Sequence, residues 1–271
     1  MSETTAKDST AVNSDAAATL APEGVTDTLN RNRVESYTAP EPTWLQERRL
    51  HAWDVYEDTP MPTTRLEEWR YTDLKKKLDL DALAWPELTE CADDFGACPD
   101  GLQNAMKADR PASGHVWEID GIIFHIDLDE ELQEKGVVLT SLRRAIDSHP
   151  DLLKEHLATE AVPAESGKFE ALNAALWTDG VLLHVPRGVR LDLPVRVTRW
   201  ASQSGVSLFS RTLIIAEPGS QVSLVDEILS EDMEKQTFVS DAVEVLAKDG
   251  SQVQYVSLQR LGKGAFYQSS Q

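Results

Sequence analysis

The spacing of apolar residues divides the chain into three predicted segments. Residues 1–40 carry few large apolar side chains among Ser, Thr, Ala, Asn and Asp. Such a stretch cannot bury enough surface to offset its ordering entropy, so a disordered tail is predicted. Residues 41–176 combine helical periodicities with a β-hairpin signal at Asp120-Gly121, which predicts an N-terminal, mostly helical α+β domain. Residues 177–271 alternate in the manner of β-strands.

Helical spacing is clearest just after Pro42. Leu45, Ala52, Trp53 and Tyr56 lie at i, i+7, i+8 and i+11, on one helical face. The prolines of the following Thr-Pro-Met-Pro run are expected to end this helix. Three later helices are predicted, over residues 141–148, 150–157 and 169–176.

A regular repeat dominates the last segment. Gly188, Gly219 and Gly250 are equally spaced, and the Gly-Ser-Gln-Val sequence at 219 recurs at 250. Apolar, β-branched strands lie on both sides of each glycine, which predicts a unit of strand, glycine turn, strand and longer connection. A fixed period without long helical stretches is typical of a β-solenoid. The fold class predicted is therefore mainly β, a parallel β-helix of 31-residue coils preceded by the helical domain.

The period also assigns side chains to ladders. Leu183, Ile214 and Val245 should stack in register, because equivalent positions of successive coils lie side by side. Two further ladders are predicted, one of Leu191, Val222 and Val253 and one of Leu193, Leu224 and Tyr255. The opposite face carries Leu182, Leu213, Ile215 and Leu246 and is too apolar for solvent. Either the N-terminal helices or a partner protein covers it, and the helices are the favoured cover.

The same period makes a prediction about the end of the chain. Ser270 should begin the strand equivalent to those of Leu208 and Val239, so the chain stops as a new coil starts. A solenoid requires a cap over its last coil. The chain is therefore expected to be the N-terminal fragment of a longer protein, with residues 177–271 forming only the first coils.

Charge and composition narrow the function classes. The chain has 26 Lys and Arg against 46 Asp and Glu, a net charge of −20, and much of the acidity lies in residues 79–134. This balance argues against generic binding to nucleic acid or anionic membranes, both of which need basic patches. No apolar run approaches the roughly 20 residues of a membrane span, and no signal peptide is visible. Together with only two cysteines, this favours the cytoplasm.

The candidate metal ligands do not have the spacing of common metal-binding motifs. Cys91 and Cys98 form a C-x6-C pair that matches no common zinc or iron–sulfur pattern. A cluster of carboxylates lacks the spacing and the glycine of an EF-hand and is interpreted as a solvated loop; it comprises Asp127, Asp129, Glu130 and Glu131. His184 has Ile215 and Leu246 as repeat equivalents, so a packed histidine is favoured over a ligand. We predict no catalytic, cofactor-binding or metal-binding residue.

Four arginines lie at or after the first glycine turn, at positions 187, 190, 196 and 199. A β-helix enzyme that acts on acidic polysaccharide would need such bases together with carboxylates on a coil face. No matching carboxylate set accompanies these arginines in the sequence, so we interpret Arg187, Arg190, Arg196 and Arg199 as a polar coil edge.

A polar and aromatic motif lies between the first helix and a Lys-Lys-Lys run. It reads Pro-Thr-Thr-Arg-Leu-Glu-Glu-Trp-Arg-Tyr-Thr from Pro62, and its notable members are Arg65, Glu68, Trp69, Arg70, Tyr71 and Thr72. Basic and aromatic residues together could contact a phosphate or nucleic acid. Because acids are interleaved, we favour a turn in which the Trp and Tyr anchor the domain and the Arg and Glu side chains pair around them.

This motif resembles the N-terminal signature of the SufD branch of the SufB/SufD family, scaffold subunits of the Suf iron–sulfur cluster assembly system. The Asp120-Gly121 hairpin, the run from Phe169 to Gly180 and the coil-opening Val-Pro-Arg-Gly-Val from Val185 agree with it. The resemblance covers roughly residues 42–271. It implies a right-handed parallel β-helix, with a C-terminal helical domain in the complete protein.

The resemblance also implies partners. Such subunits pair with a SufB-like β-helix subunit and each bind a SufC-like ATPase, and a transient iron–sulfur cluster forms at the level of the complex. The family's cluster-interface and SufC-binding residues lie beyond Gln271, so no residue here inherits those roles and the fragment alone should bind no cluster. A non-catalytic scaffold is therefore expected. The alternatives are a SufB-like paralogue of the same complex and a β-helix polysaccharide-active enzyme.

Overall fold

A computed structural model describes residues 29–88, 98–108 and 110–271. Eight α-helices occur in these residues: α1 Arg31–Thr38, α2 Thr43–Asp58, α3 Leu74–Lys77, α4 Asp100–Met106, α5 Glu130–Glu134, α6 Leu142–Ser148, α7 Pro150–His156 and α8 Lys168–Leu176. The ten strands are β1 Gly114–Ile119, β2 Ile122–Leu128, β3 Val138–Ser141, β4 Asp179–Val185, β5 Val195–Ala201, β6 Ser207–Ala216, β7 Gln221–Ser230, β8 Thr237–Ala247, β9 Gln252–Arg260 and β10 Ala265–Ser270. The fold is thus mixed α and β.

The prediction of a disordered tail over residues 1–40 is wrong for residues 31–38. Within residues 1–40, Arg31–Thr38 form helix α1, which begins at Asn30, whose side chain accepts a hydrogen bond from the Arg33 amide at 2.9 Å. Val34 is fully buried, and the Tyr37 hydroxyl donates to the Thr178 carbonyl at 2.9 Å. Two well-placed apolar residues are enough to hold so short a helix against a large core. Residues 1–28 lie outside the described part of the chain.

Two five-stranded mixed sheets form the centre of the fold. Their strand orders are β2-β1-β5-β7-β9, called here sheet I, and β10-β8-β6-β4-β3, called sheet II. Neighbours pair in parallel, except that β2 pairs with β1 and β3 with β4 in antiparallel fashion at one end of each sheet. The hairpin predicted at Asp120-Gly121 is confirmed, with positive φ at both turn residues. Strands that precede residue 177 therefore complete both sheets.

The predicted repeat register is confirmed for strands β4, β6 and β8 of sheet II. Leu183 pairs with Ile214, and Ile214 pairs in turn with Val245, as the spacing of the glycines predicts. Val222 and Val253 pair in the same way in sheet I. These equal offsets follow from coils of constant length, each of which contributes one strand to each sheet.

Two register predictions are wrong because not every coil has that length. Leu224 pairs with Tyr255 as predicted, but its other partner is Val195 and not Leu193, which is 43% exposed in the turn before β5. In sheet II, Val239 pairs with Tyr267, so the last coil is shorter than the others and Ser270 pairs with Ala242. The connection between β9 and β10 is shorter than the equivalent one between β7 and β8, and strand β10 therefore starts earlier than the period predicts.

Apolar side chains occupy both faces of sheet II. Toward sheet I, Leu183, Ile214 and Leu224 belong to one buried cluster between the two sheets. On the opposite face, Leu182 and Leu213 pack in a second cluster with residues of helices α2, α6, α7 and α8. The prediction that the N-terminal helices cover this face is confirmed, with Ile215 buried and Leu246 at its margin.

Candidate functional site

The main polar site is a charged cluster buried between the two sheets. Arg199 of β5 forms ion pairs with Glu118 of β1 and with Asp226 of β7, the latter at 2.9 Å from Nε to Oδ1. Its Nη2 also donates to Thr212 of β6 at 2.6 Å. The side chains of Arg199, Glu118 and Asp226 are at most 4% exposed. The interpretation of Arg199 as part of a polar coil edge is therefore wrong.

Strand alternation explains how Arg199 comes to lie inside. Val195 and Val197 of β5 face the other sheet and are buried, and Arg199 follows at the same parity. Its carboxylate partners lie on the neighbouring strands, and Glu118 pairs directly with Arg199 across β1 and β5. Of the other arginines in the set, Arg187 and Arg190 are exposed as expected, and Arg196 is half-buried on the outer face of sheet I.

Burial changes the protonation of this cluster. Desolvation raises the pKa of Glu118 to about 7, although Arg199 opposes the shift, and it raises the pKa of the nearby Asp179 to about 6. Asp241 of β8 also has its pKa raised to about 7 by burial. Its Oδ2 lies 3.4 Å from the Tyr267 hydroxyl, whereas its Oδ1 has no hydrogen-bond partner among the described residues.

The space inside the cluster limits its chemistry. A cavity beside Glu118 and Arg199 measures about 20 Å³, which is room for about one water molecule and no substrate. The hydroxyl of Tyr255 closes another side, 3.3 Å from Asp226 Oδ2. The arrangement can hold a proton or a water molecule and can fix the register of the coils, because each charge needs its partner on a neighbouring strand.

The three predicted glycines occupy equivalent turns. Gly188, Gly219 and Gly250 have φ of 71°, 73° and 66°, a conformation that other L-residues adopt at a cost. The Gly188 amide donates to the Pro218 carbonyl at 3.1 Å, and the Gly219 amide to the Asp249 carbonyl at 3.0 Å. The first two turns therefore each hydrogen-bond to the turn of the next coil.

The signature motif forms a surface turn around a short 3-10 helix, Glu67–Trp69. Trp69 is half-buried, with its ring 5.3 Å from that of Phe169, so it anchors the segment as expected. Tyr71 is 87% exposed, so the prediction that it anchors the domain is wrong.

The remaining members of the motif lie at the surface. Arg70 extends over the Tyr71 ring, 5.7 Å from guanidinium carbon to ring centroid, and forms a 3.5 Å ion pair with Glu67. Arg65 and Glu68 are exposed, and the Thr72 amide donates to the Trp69 carbonyl at 2.9 Å. The turn thus presents an aromatic ring and two arginines to solvent.

The weaker candidates occupy separate places. His184 is half-buried with Nε2 3.7 Å from Glu217 Oε1, and burial lowers its pKa. Asp127 approaches His115 at 3.3 Å, whereas Glu131 pairs with Lys135 at 2.6 Å. Asp129 and Glu130 begin helix α5. Cys98 is buried against Leu102, and Cys91 lies outside the described residues.

Metal sites and membrane-spanning helices are two further features that a function could require. Within residues 29–88, 98–108 and 110–271, no group of three or more His, Cys, Asp and Glu side chains could hold a metal ion. Across that same part of the chain, no helix combines the length and the apolar character needed to cross a bilayer.

A second buried ion pair was missed in the sequence. Arg211 of β6 and Glu244 of β8 are both fully buried on the helix-covered face, with Nε and Oε1 2.7 Å apart. Glu244 also accepts from the Ala158 amide, and Arg211 donates to Asn173 of α8 and to the Val162 carbonyl. The signal was available, because Arg211 has the same strand parity as the covered Leu213 and Ile215.

The fold and these sites define a class, a mixed α and β protein of two five-stranded sheets, with helices over one sheet face and a charged cluster buried between the sheets. Two family models match it in succession: the SufBD protein N-terminal region over residues 116–197, and the SufBD core domain of the SUF system for FeS cluster assembly over residues 199–271. The chain belongs to the SufBD family.

Curated relatives agree with this assignment. The iron–sulfur cluster assembly protein SufD of Bacillus subtilis is 30% identical over 228 residues, which cover 83% of this chain and 50% of the relative. A SufBD family iron–sulfur cluster assembly protein of Staphylococcus haemolyticus is 27% identical over 244 residues, 88% of this chain and 52% of the relative. A SufBD family iron–sulfur cluster assembly protein of Mycobacterium tuberculosis is 30% identical over 223 residues, which cover 80% of this chain and 26% of the relative. The chain spans about half the length of the first two.

Proposed function

We propose that this chain is the N-terminal portion of a SufD-like, non-catalytic scaffold subunit in iron–sulfur cluster assembly. The observation that carries the proposal is the succession of the two SufBD family matches, which together run from β1 to β10. A relative of similar sequence carries the name SufD, which favours that branch over a SufB-like paralogue. The scaffold role and the cytoplasmic location both rest on this similarity.

A right-handed parallel β-helix is the proposed architecture of the coils. Parallel ladders that keep one constant offset support it, since successive turns of one helix lie side by side. The small cavity beside Arg199 supports a structural role for the polar cluster, because its volume of about 20 Å³ admits no substrate. The proposed partners are a SufB-like β-helix subunit and a SufC-like ATPase, bound through the part of the protein that follows Gln271. The cluster itself is cargo of the assembled complex.

A genetic and a biochemical test decide the proposal. Deletion of the gene in its host should lower the activity of iron–sulfur enzymes such as aconitase, and the intact gene should restore it. Affinity-tagged full-length protein should co-purify with the SufB-like and SufC-like subunits encoded by the same organism. Normal aconitase activity in the deletion strain under iron limitation, or no co-purification of either subunit, would contradict the scaffold role.

A further inference from the structure

Among the described residues, helix α4 covers part of the outer face of sheet I. Leu102 of α4 packs against Ile119, Trp200 and Leu229 of the sheet. A Cβ atom at Gly101 would lie 2.1 Å from Cη2 of Trp200, so this close approach requires glycine. Beside the contact remains a cleft of about 550 Å³, a size typical of small-molecule sites.

One wall of the cleft is aromatic and apolar. The rings of His115 and Trp117 on β1 are stacked, with centroids 6.0 Å apart and planes within 7°. Val225 of the sheet and Met106 at the end of α4 add apolar surface. A flat ring is the shape that best fits against such a wall, because an offset-stacked arrangement buries its faces.

The polar lining carries an excess of cations. Lys107, Arg110 and Arg196 line the cleft together with two carboxylates, Asp127 and Glu227. Both carboxylates already have partners. Glu227 accepts from Arg110 at 3.1 Å and also pairs with Arg260, which does not line the cleft, whereas Asp127 is 3.3 Å from the His115 ring.

Two of these cations have no carboxylate partner among the described residues. In the described part of the chain, neither Lys107 nor Arg196 forms an ion pair, and the buried Nε of Arg196 has no hydrogen-bond partner. In the described part of the chain, Lys107 Nζ donates to the side-chain oxygen of Gln103, at 3.5 Å. An unpaired buried donor is costly, and an anion in the cleft would satisfy it.

The basic residues of the cleft stand out in an otherwise acidic stretch of the sequence. Residues 79–134 contain fifteen acidic residues and two basic ones, and the two basic residues are Lys107 and Arg110. Both line the cleft. In a chain of net charge −20, this lining nevertheless holds three cations against two carboxylates, and a small anion would balance the difference.

We propose that this cleft binds a small organic anion, a flat aromatic ring that carries a phosphate or carboxylate group. The ring lies against His115, whose half-buried ring stacks with the largely buried Trp117, and the anionic group is held by Arg196 and Lys107. The site lies on the outer face of sheet I and does not depend on the proposed scaffold role, so it can fail or succeed independently of that role.

Isothermal titration of the full-length protein with 2-naphthyl phosphate tests the proposal. The matched probes are 2-naphthoate, which has the ring with a carboxylate, 2-naphthol, which has the ring without the charge, and inorganic phosphate. We expect the better of the two aromatic anions to bind at least about tenfold tighter than either 2-naphthol or phosphate. The preferred anion then tells a phosphate ligand from a carboxylate ligand.

Two variants locate the binding. Arg196→Gln should weaken binding of the aromatic anion about tenfold. Lys107→Gln should weaken it several-fold, because Lys107 is exposed. Arg190→Gln removes an exposed arginine that does not line the cleft and should change affinity less than about twofold. No heat from either anion at about 5 mM, equal binding of 2-naphthol, or unchanged affinity in Lys107→Gln and Arg196→Gln would overturn the proposal. Binding of a protein partner's peptide in this cleft, with no binding of these anions, would overturn it too.

Discussion

Removal of the buried arginine between the sheets should destabilise the protein in a pH-dependent way. Arg199→Gln leaves Asp226 and Glu118 buried without their shared cation, and both are at most 4% exposed. Loss of one partner from a buried pair typically costs about 3–5 kcal/mol, because the remaining charge stays desolvated. We expect a loss of that order in the free energy of unfolding at pH 8.

The sign of the pH dependence follows from Glu118. Burial raises its pKa from 4.5 to about 7, so the folded protein holds this proton more tightly than the unfolded chain does. The stability that the proton contributes is present below about pH 4.5 and is lost as the pH rises through 7. Without Arg199 the pKa of Glu118 rises further, since that guanidinium lowers it. The cost of Arg199→Gln should therefore be smaller at pH 5 than at pH 8, by up to about 1.4 kcal/mol, because only about one unit of this further rise, between 7 and 8, lies below pH 8.

Urea unfolding followed by circular dichroism at pH 5 and pH 8 measures both quantities. Arg190→Gln, an exposed arginine, is the control and should change stability by less than about 0.5 kcal/mol. The triple variant Arg199→Gln, Glu118→Gln, Asp226→Asn leaves no charge at these three positions and should recover part of the loss. A cost below about 1 kcal/mol at pH 8, or an equal cost at both pH values, would refute the account of the cluster.

Further substitutions test the coils and the signature turn by the same urea measurement. Ile214→Ala should cost about 2–5 kcal/mol, because it leaves a cavity between the sheets. Gly219→Ala should cost about 1–2 kcal/mol through its φ of 73°, as no atom lies within 4 Å to clash with the new Cβ. Trp69→Ala should cost about 1–3 kcal/mol, whereas Tyr71→Ser should stay within about 0.5 kcal/mol because Tyr71 is exposed. A larger loss at Tyr71 than at Trp69 would show that the exposed ring is the anchor after all.

The coils were predictable because a fixed period leaves its mark in sequence. Ile214 could be placed opposite Leu183 and Val245 from spacing alone. The exceptions occur where a connection changes length, as before Val195 and before strand β10. A period read from glycines carries no information about such local changes, since the strand pairs by its own hydrogen bonds and side-chain packing.

The polar interior was less accessible to sequence reasoning. Parity along β5 could have placed Arg199 inside, but its acidic partner Glu118 comes from a strand outside the repeat. The cleft beside α4 required the close contact at Gly101, which no periodicity reports. Helix α1 was missed because the average composition of the N-terminal segment hides two well-placed apolar residues.

The pairing of β1 with β5 has a consequence for how the chain folds as it leaves the ribosome. Gly114 pairs with Val195, which follows more than two coil lengths later, whereas each later coil joins its predecessor after a single coil length. Closing the longer loop costs about 0.9 kcal/mol more in chain entropy, a small penalty. The delay matters more, because the apolar face of the β1–β2 hairpin is translated well before its neighbour in sheet I exists. That hairpin, like the earlier apolar face of helix α2, is therefore a surface that a nascent-chain chaperone would bind before the sheets are complete, and every later strand of sheet I can be added in the order of synthesis.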